Sequence, residues 1–154
     1  MKRLPFLVLV AVLVAACGGS GRMSKADYQK HLQTDGKPVQ QTVTALISGS
    51  GSITSLQQLA TKIDAAEAAV KTAADDLASL KPPKDADADN GALVAGLRAV
   101  QAGLESLKAK AASGDIAGVQ QAGTALESSP KLKAAEKAIA DLKSKGYAVG
   151  FLGT

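Results

Sequence analysis

Apolar residues recur at alternating three- and four-residue intervals along most of the chain, the spacing of helices that bury one stripe. The clearest run is Leu56, Leu59, Ile63, Ala66, Val70, Ala73, Leu77 and Leu80. Before it, Tyr28, Leu32, Val39, Val43 and Leu46 share a stripe that keeps its phase across Gly36 and Pro38. After it come Leu93, Leu97, Val100, Leu104, Leu107 and Ala111. The last stripe holds Ile116, Val119, Gly123 and Leu126, then Leu132, Ala135, Ile139 and Leu142. The pattern predicts four helices over about 24–48, 54–80, 85–112 and 115–145, with no strand. Short connections place successive helices antiparallel, so the expected fold is all-α, an up-down-up-down four-helix bundle.

Punctuation supports these limits. Ser24-Lys25-Ala26-Asp27 reads as a capping box, with Met23 and Tyr28 placed for a hydrophobic staple. Pro38 is expected to kink the first helix rather than split it, because the apolar phase survives. Gly49-Ser50-Gly51-Ser52 is a loop signal, and Thr54-Ser55 can cap the second helix. Lys81-Pro82-Pro83 stops that helix. Gly114 and Asp115 end one helix and cap the next. Ser129-Pro130 marks a kink or a restart, and Gly146 ends the last helix. Gly96 and Gly103 flank the third stripe, where each weakens the helix by about 1 kcal/mol relative to Ala; close approach of a neighbour would offset that.

The N-terminus has a different pattern. Lys2 and Arg3 precede an apolar run from Leu4 to Ala16 that is too short to span a bilayer, which takes about 20 apolar residues. A charged start, a short apolar run and small residues read as a secretory signal. Val14-Ala15-Ala16-Cys17 resembles the bacterial lipobox, although Val14 stands where Leu is commonest. The resemblance implies cleavage before Cys17, a diacylglyceryl group on its sulfur and acylation of the new amine. Cys17 is the only cysteine. Two or three acyl chains anchor durably, at about 0.8 kcal/mol per buried methylene. The expected organisation is a signal peptide over 1–16, a lipidated tether over 17–23, a helical bundle over 24–146 and a short apolar tail over 147–154. The expected location is the extracytoplasmic face of the cell membrane.

Composition narrows the function classes. Without Lys2 and Arg3 the chain carries 16 basic and 14 acidic residues, too even a balance to argue for nucleic acid. Tyr28, Tyr147 and Phe151 are the aromatics after Cys17, against 27 alanines. Small side chains predict helices packed closely through Ala and Gly rather than an aromatic-lined pocket.

Candidate chemistry is thin. Asp85-Ala86-Asp87-Ala88-Asp89-Asn90-Gly91 resembles the start of a calcium loop, which needs Gly sixth and Glu twelfth. Counted from Asp85 those places hold Asn90 and Gly96; counted from Asp87, Ala92 and Arg98. The acids are instead expected to complement a helix N-terminus. His31 is the only histidine and is expected at the surface, since one His makes no metal site. Asp75 and Asp76 point about 100° apart on a helix and form no acid/base pair. Lys131, Lys133, Lys137, Lys143 and Lys145, offset by Glu127, Glu136 and Asp141, make a mixed face. Lys143 and Lys145 with Tyr147 and Phe151 could meet lipid headgroups, or the tail could fold back over the bundle. A nucleophile with an activating base is missing, as is a glycine-rich phosphate motif, so no catalytic residue, metal or cofactor is expected.

Ser24–Tyr28, Leu80–Pro83, Leu93–Leu97 and Ile139–Tyr147 resemble segments of small, alanine-rich helical lipoproteins of high-GC Gram-positive bacteria. That resemblance implies a fold and an address, and no activity. The sequence thus leads to a non-enzymatic lipoprotein, anchored through Cys17, whose bundle meets a protein or envelope partner. The alternative is a groove between helices that takes a small apolar ligand or lipid.

Overall fold

The computed structural model describes residues 21–48 and 55–149. The expected signal peptide, Cys17, the loop signal at 49–52 and Phe151 lie outside the described residues. Five α-helices follow in order: α1 (Lys25–Ser48), α2 (Leu56–Ser79), α3 (Asp87–Ala112), α4 (Ile116–Glu127) and α5 (Pro130–Ser144). A 3-10 turn over Lys84–Ala86 leads into α3. No strand occurs among the described residues. The architecture is the expected all-α bundle, with α4 and α5 sharing the fourth arm.

Most of the boundary signals act as written. The Ser24 hydroxyl accepts from the Asp27 N–H at 3.1 Å and donates to the Asp27 carboxylate at 2.6 Å. Ser55 caps α2 by accepting from the Gln58 N–H, so that helix starts at Leu56. Asp115 caps α4 through the Gly118 N–H at 2.8 Å. Gly114 and Gly146 turn the chain at φ +77° and +74°, where a side chain is strained. Helix α1 runs unbroken through Pro38. At Pro130 the choice between kink and restart resolves as a restart, and Ser129 holds the N-cap position without a side-chain hydrogen bond.

Helix α1 packs on α2, α2 on α3, and α3 on both α5 and α4. The core forms two clusters. Tyr28, Leu32, Leu77, Leu93, Ala138 and Leu142 gather with Tyr147 and Val149 at the end where α1 starts and α5 finishes. Ile63, Ala66, Val70 and Leu104 form the second, farther along. Leu97 packs against both while staying half-buried. At Gly96 the small-residue seam operates as expected: a Cβ there would stand 2.4 Å from the Ala135 Cβ. Only glycine lets α5 lie this close to α3. Gly103 similarly faces the Leu126 side chain.

Helix α4 departs from the expected stripe. Ile116 is 63 % exposed, and Gly118 is the buried residue of this helix. At only 12 residues and packed mainly on α3, α4 cannot turn a full stripe inward.

Candidate site: an apolar cleft between the first and last helices

The fourth side of the bundle does not close. Helices α1 and α5 belong to no closely packed pair with each other. At one end the seam between them is filled by Tyr28 and Tyr147, stacked edge to face with centroids 5.8 Å apart. Beyond that pair the facing residues shrink to Gly36, Val39 and Val43 on α1 and to Leu132, Ala135 and Ile139 on α5. These side chains do not fill the space between the two helices. A cavity of about 190 Å³ results, floored by Leu77, Leu93, Leu97 and Val100. Its walls present no polar atom. A dry apolar cavity of about 150 Å³ accepts benzene, so this one can take a ring or a short stretch of acyl chain. Close packing through small residues therefore describes the α3–α5 seam and fails at the α1–α5 seam. Glu136 is the one ionisable residue on the wall.

Comparisons with protein-family models, curated proteins and solved structures gave no match.

The acidic segment at the start of α3 has a different role from the one its position suggests. No side chain caps α3. Each acid instead ties down another segment. Asp85 accepts from the Tyr147 hydroxyl at 2.9 Å. Asp87 pairs with Arg22 at 3.0 Å. Asp89 pairs with Lys145 at 2.6 Å, and the same ammonium donates to the Asp85 carbonyl. Asn90 is buried; it accepts from the Tyr28 hydroxyl and donates to the Leu77 carbonyl, both at 3.0 Å. Lys25 donates to the Lys145 carbonyl and sits 4.5 Å from the centre of the Tyr147 ring. This clasp binds the start of α1, the end of α2, the start of α3 and the tail.

The clasp decides the fate of the tail as far as Val149. Tyr147 and Val149 are buried in the first core cluster, and Lys145 is engaged with Asp89. Over these residues the chain folds back onto the bundle end, with Tyr147 and Val149 inward.

The remaining candidates disperse. His31 is exposed, with Nδ1 3.9 Å from Asp35 Oδ2. Asp75 pairs with Lys71, while Asp76 places its charge against Asp35 of α1. Asp35 is the polar residue that stripe reading misses: Oδ2 is buried without a hydrogen-bond partner. Burial, then the charge of Asp76, raises its pKa. No group of three or more His, Cys, Asp or Glu side chains among the described residues could hold a metal ion. Lys137 pairs with Asp141 on the outer face of α5.

The clasp makes the bundle sensitive to alkali. Burial first, then the hydrogen bond and charge of Asp85, push Tyr147 up to about 12. Burial and the charge of Asp89 push Tyr28 up as well. A raised folded-state pKa favours the protonated phenol, so its contribution is complete below pH 10 and is lost as pH rises toward the folded value. The urea midpoint should hold up to about pH 10 and then fall toward pH 12, in step with tyrosinate absorbance. An unchanged midpoint across that window would mean the phenols ionise without disturbing the clasp.

Proposed function

We propose that the chain is a non-enzymatic lipoprotein, anchored through Cys17 on the extracytoplasmic face of the cell membrane, that holds a small apolar ligand or lipid segment between α1 and α5. The cleft carries the ligand part of this reading. Natural interiors are close-packed, and an open apolar cavity with no polar wall atom loses contacts that a ligand would restore. The lipobox carries the anchor. No helix among the described residues is long and apolar enough to cross a membrane.

The geometry suits that address. Arg22 donates to the Pro82 carbonyl, and the Met23 N–H donates to the Lys81 carbonyl. The chain coming from the anchor therefore enters the bundle beside the Pro82 loop. Five residues reach at most about 18 Å, so lipid at Cys17 would hold that end of the bundle toward the bilayer. Gly36 to Val43 lie about 16 to 27 Å along α1 from Lys25, which sets the cleft above the headgroups.

A second reading, docking of a protein or envelope partner, is favoured by Ile116, the large apolar side chain left exposed on α4. Native mass spectrometry of the lipoprotein purified from its own host separates the two. An apolar adduct that disappears on Val43→Trp supports the cleft; a clean mass favours docking. Cys17→Ser should move the protein from the membrane to the soluble fraction without loss of helicity. Retention in the membrane would remove the anchor from the account.

A further inference from the structure

Twelve of the thirteen residues around the cleft are aliphatic or glycine, and the thirteenth is Glu136. It lies between Leu132 and Ile139 on one stripe of α5, at i+4 from the first and i−3 from the second. No polar atom faces the cavity, so the Glu136 stem forms wall while the residue as a whole is exposed. Among the described residues no ion pair or hydrogen bond holds its carboxylate, unlike Asp141 on the same helix, which Lys137 holds. Lys133, one turn earlier, forms no part of the wall. On α1 the helical phase puts Gln33 and Gln40 beside Gly36, with the exposed Lys37 next after it.

We infer that the cleft takes an amphiphile with an amine head: its apolar body lies between α1 and α5, and its ammonium meets Glu136. The inference rests on the cleft reading and adds the class of ligand. A fatty-acid anion of the same length would place like charges together, and an alcohol would neither gain nor lose the ion pair. An exposed pair contributes little, and repulsion costs a similar amount. The amine should therefore bind about threefold to tenfold more tightly than the carboxylate, with the difference shrinking as salt rises.

The test uses the full chain carrying Cys17→Ser, the neutral fluorophore N-phenyl-1-naphthylamine, and decylamine, decanol and decanoate as competitors below their micelle concentrations. The Val43→Trp chain, checked for helicity, supplies the signal that does not come from the cleft; Leu132→Trp replaces it if that chain does not fold. Decylamine should displace the cleft-dependent signal best and decanoate worst. Glu136→Lys, an exposed substitution, should reverse that order, and Glu136→Gln should level it. Equal displacement by amine and carboxylate, or an order that Glu136→Lys leaves unchanged, overturns the amine assignment while the cleft stands. A probe signal identical in the parent and the folded tryptophan chain overturns the cleft itself and the inference with it.

Discussion

Ile63→Asp is expected to cost about 4 kcal/mol or more and to leave the chain largely unfolded at room temperature. Ile63 is 1 % exposed and sits in the second core cluster against Ala66, Val70 and Leu104. Shortening a buried Ile to a small residue costs about 2–5 kcal/mol through lost transfer energy and the cavity left behind. A carboxylate adds the desolvation of an unpaired charge. Lys108 of α3, which reaches this part of α2, is already committed to Glu67 at 2.6 Å and Asp64 at 3.0 Å. Domain stabilities of about 5–15 kcal/mol leave little margin. Urea unfolding followed by circular dichroism measures the loss, with Ile63→Val as the mild control at about 1 kcal/mol. Leu97→Asp should be the milder acid substitution, because Leu97 is half-buried on the cleft floor, where water can reach the new carboxylate. An Ile63→Asp chain within about 1 kcal/mol of the parent would mean that the α2 stripe does not face the core.

Asn90→Leu should cost about 1–3 kcal/mol even though the new side chain is apolar and similar in size. The substitution leaves the buried Tyr28 hydroxyl without its partner, at about 1–3 kcal/mol, and leaves the Leu77 carbonyl with only the 3.4 Å bond from the Leu80 N–H. Tyr28→Phe alone removes one partner and should cost less. Combining the two should recover part of the loss, because the orphaned hydroxyl is gone. Urea midpoints of the four chains complete the cycle. Strict additivity would contradict the clasp as a coupled network.

Helix positions were legible because period and punctuation agreed: Ser24, Ser55 and Asp115 cap where they were expected to, and Pro82 follows the end of α2. Ile116 was misplaced because periodicity tells which face is apolar and not whether a neighbour covers it. The acids of Asp85–Asn90 were placed at a helix start correctly but given the wrong partners. Arg22, Tyr28, Lys145 and Tyr147 lie about 60 residues away in sequence, beyond any local pattern. The cleft was foreseen only as an alternative. Stripe composition shows that α1 and α5 present small residues, whereas the gap between them depends on how the two helices pack. Glu136 and Asp35 did leave a signal, a carboxylate set within an apolar stripe.

Intermolecular nuclear Overhauser effects test the cleft most directly. With methyl-labelled full chain carrying Cys17→Ser and decylamine as ligand, contacts are expected from the alkyl chain to methyls of Val39, Val43, Leu97, Leu132 and Ile139. None is expected to Ile63 or Val70, which are sealed in the second cluster. Contacts to Ile116 and Val119 of α4 with none to Val43 or Leu132 would contradict the cleft and move binding to the exposed helix.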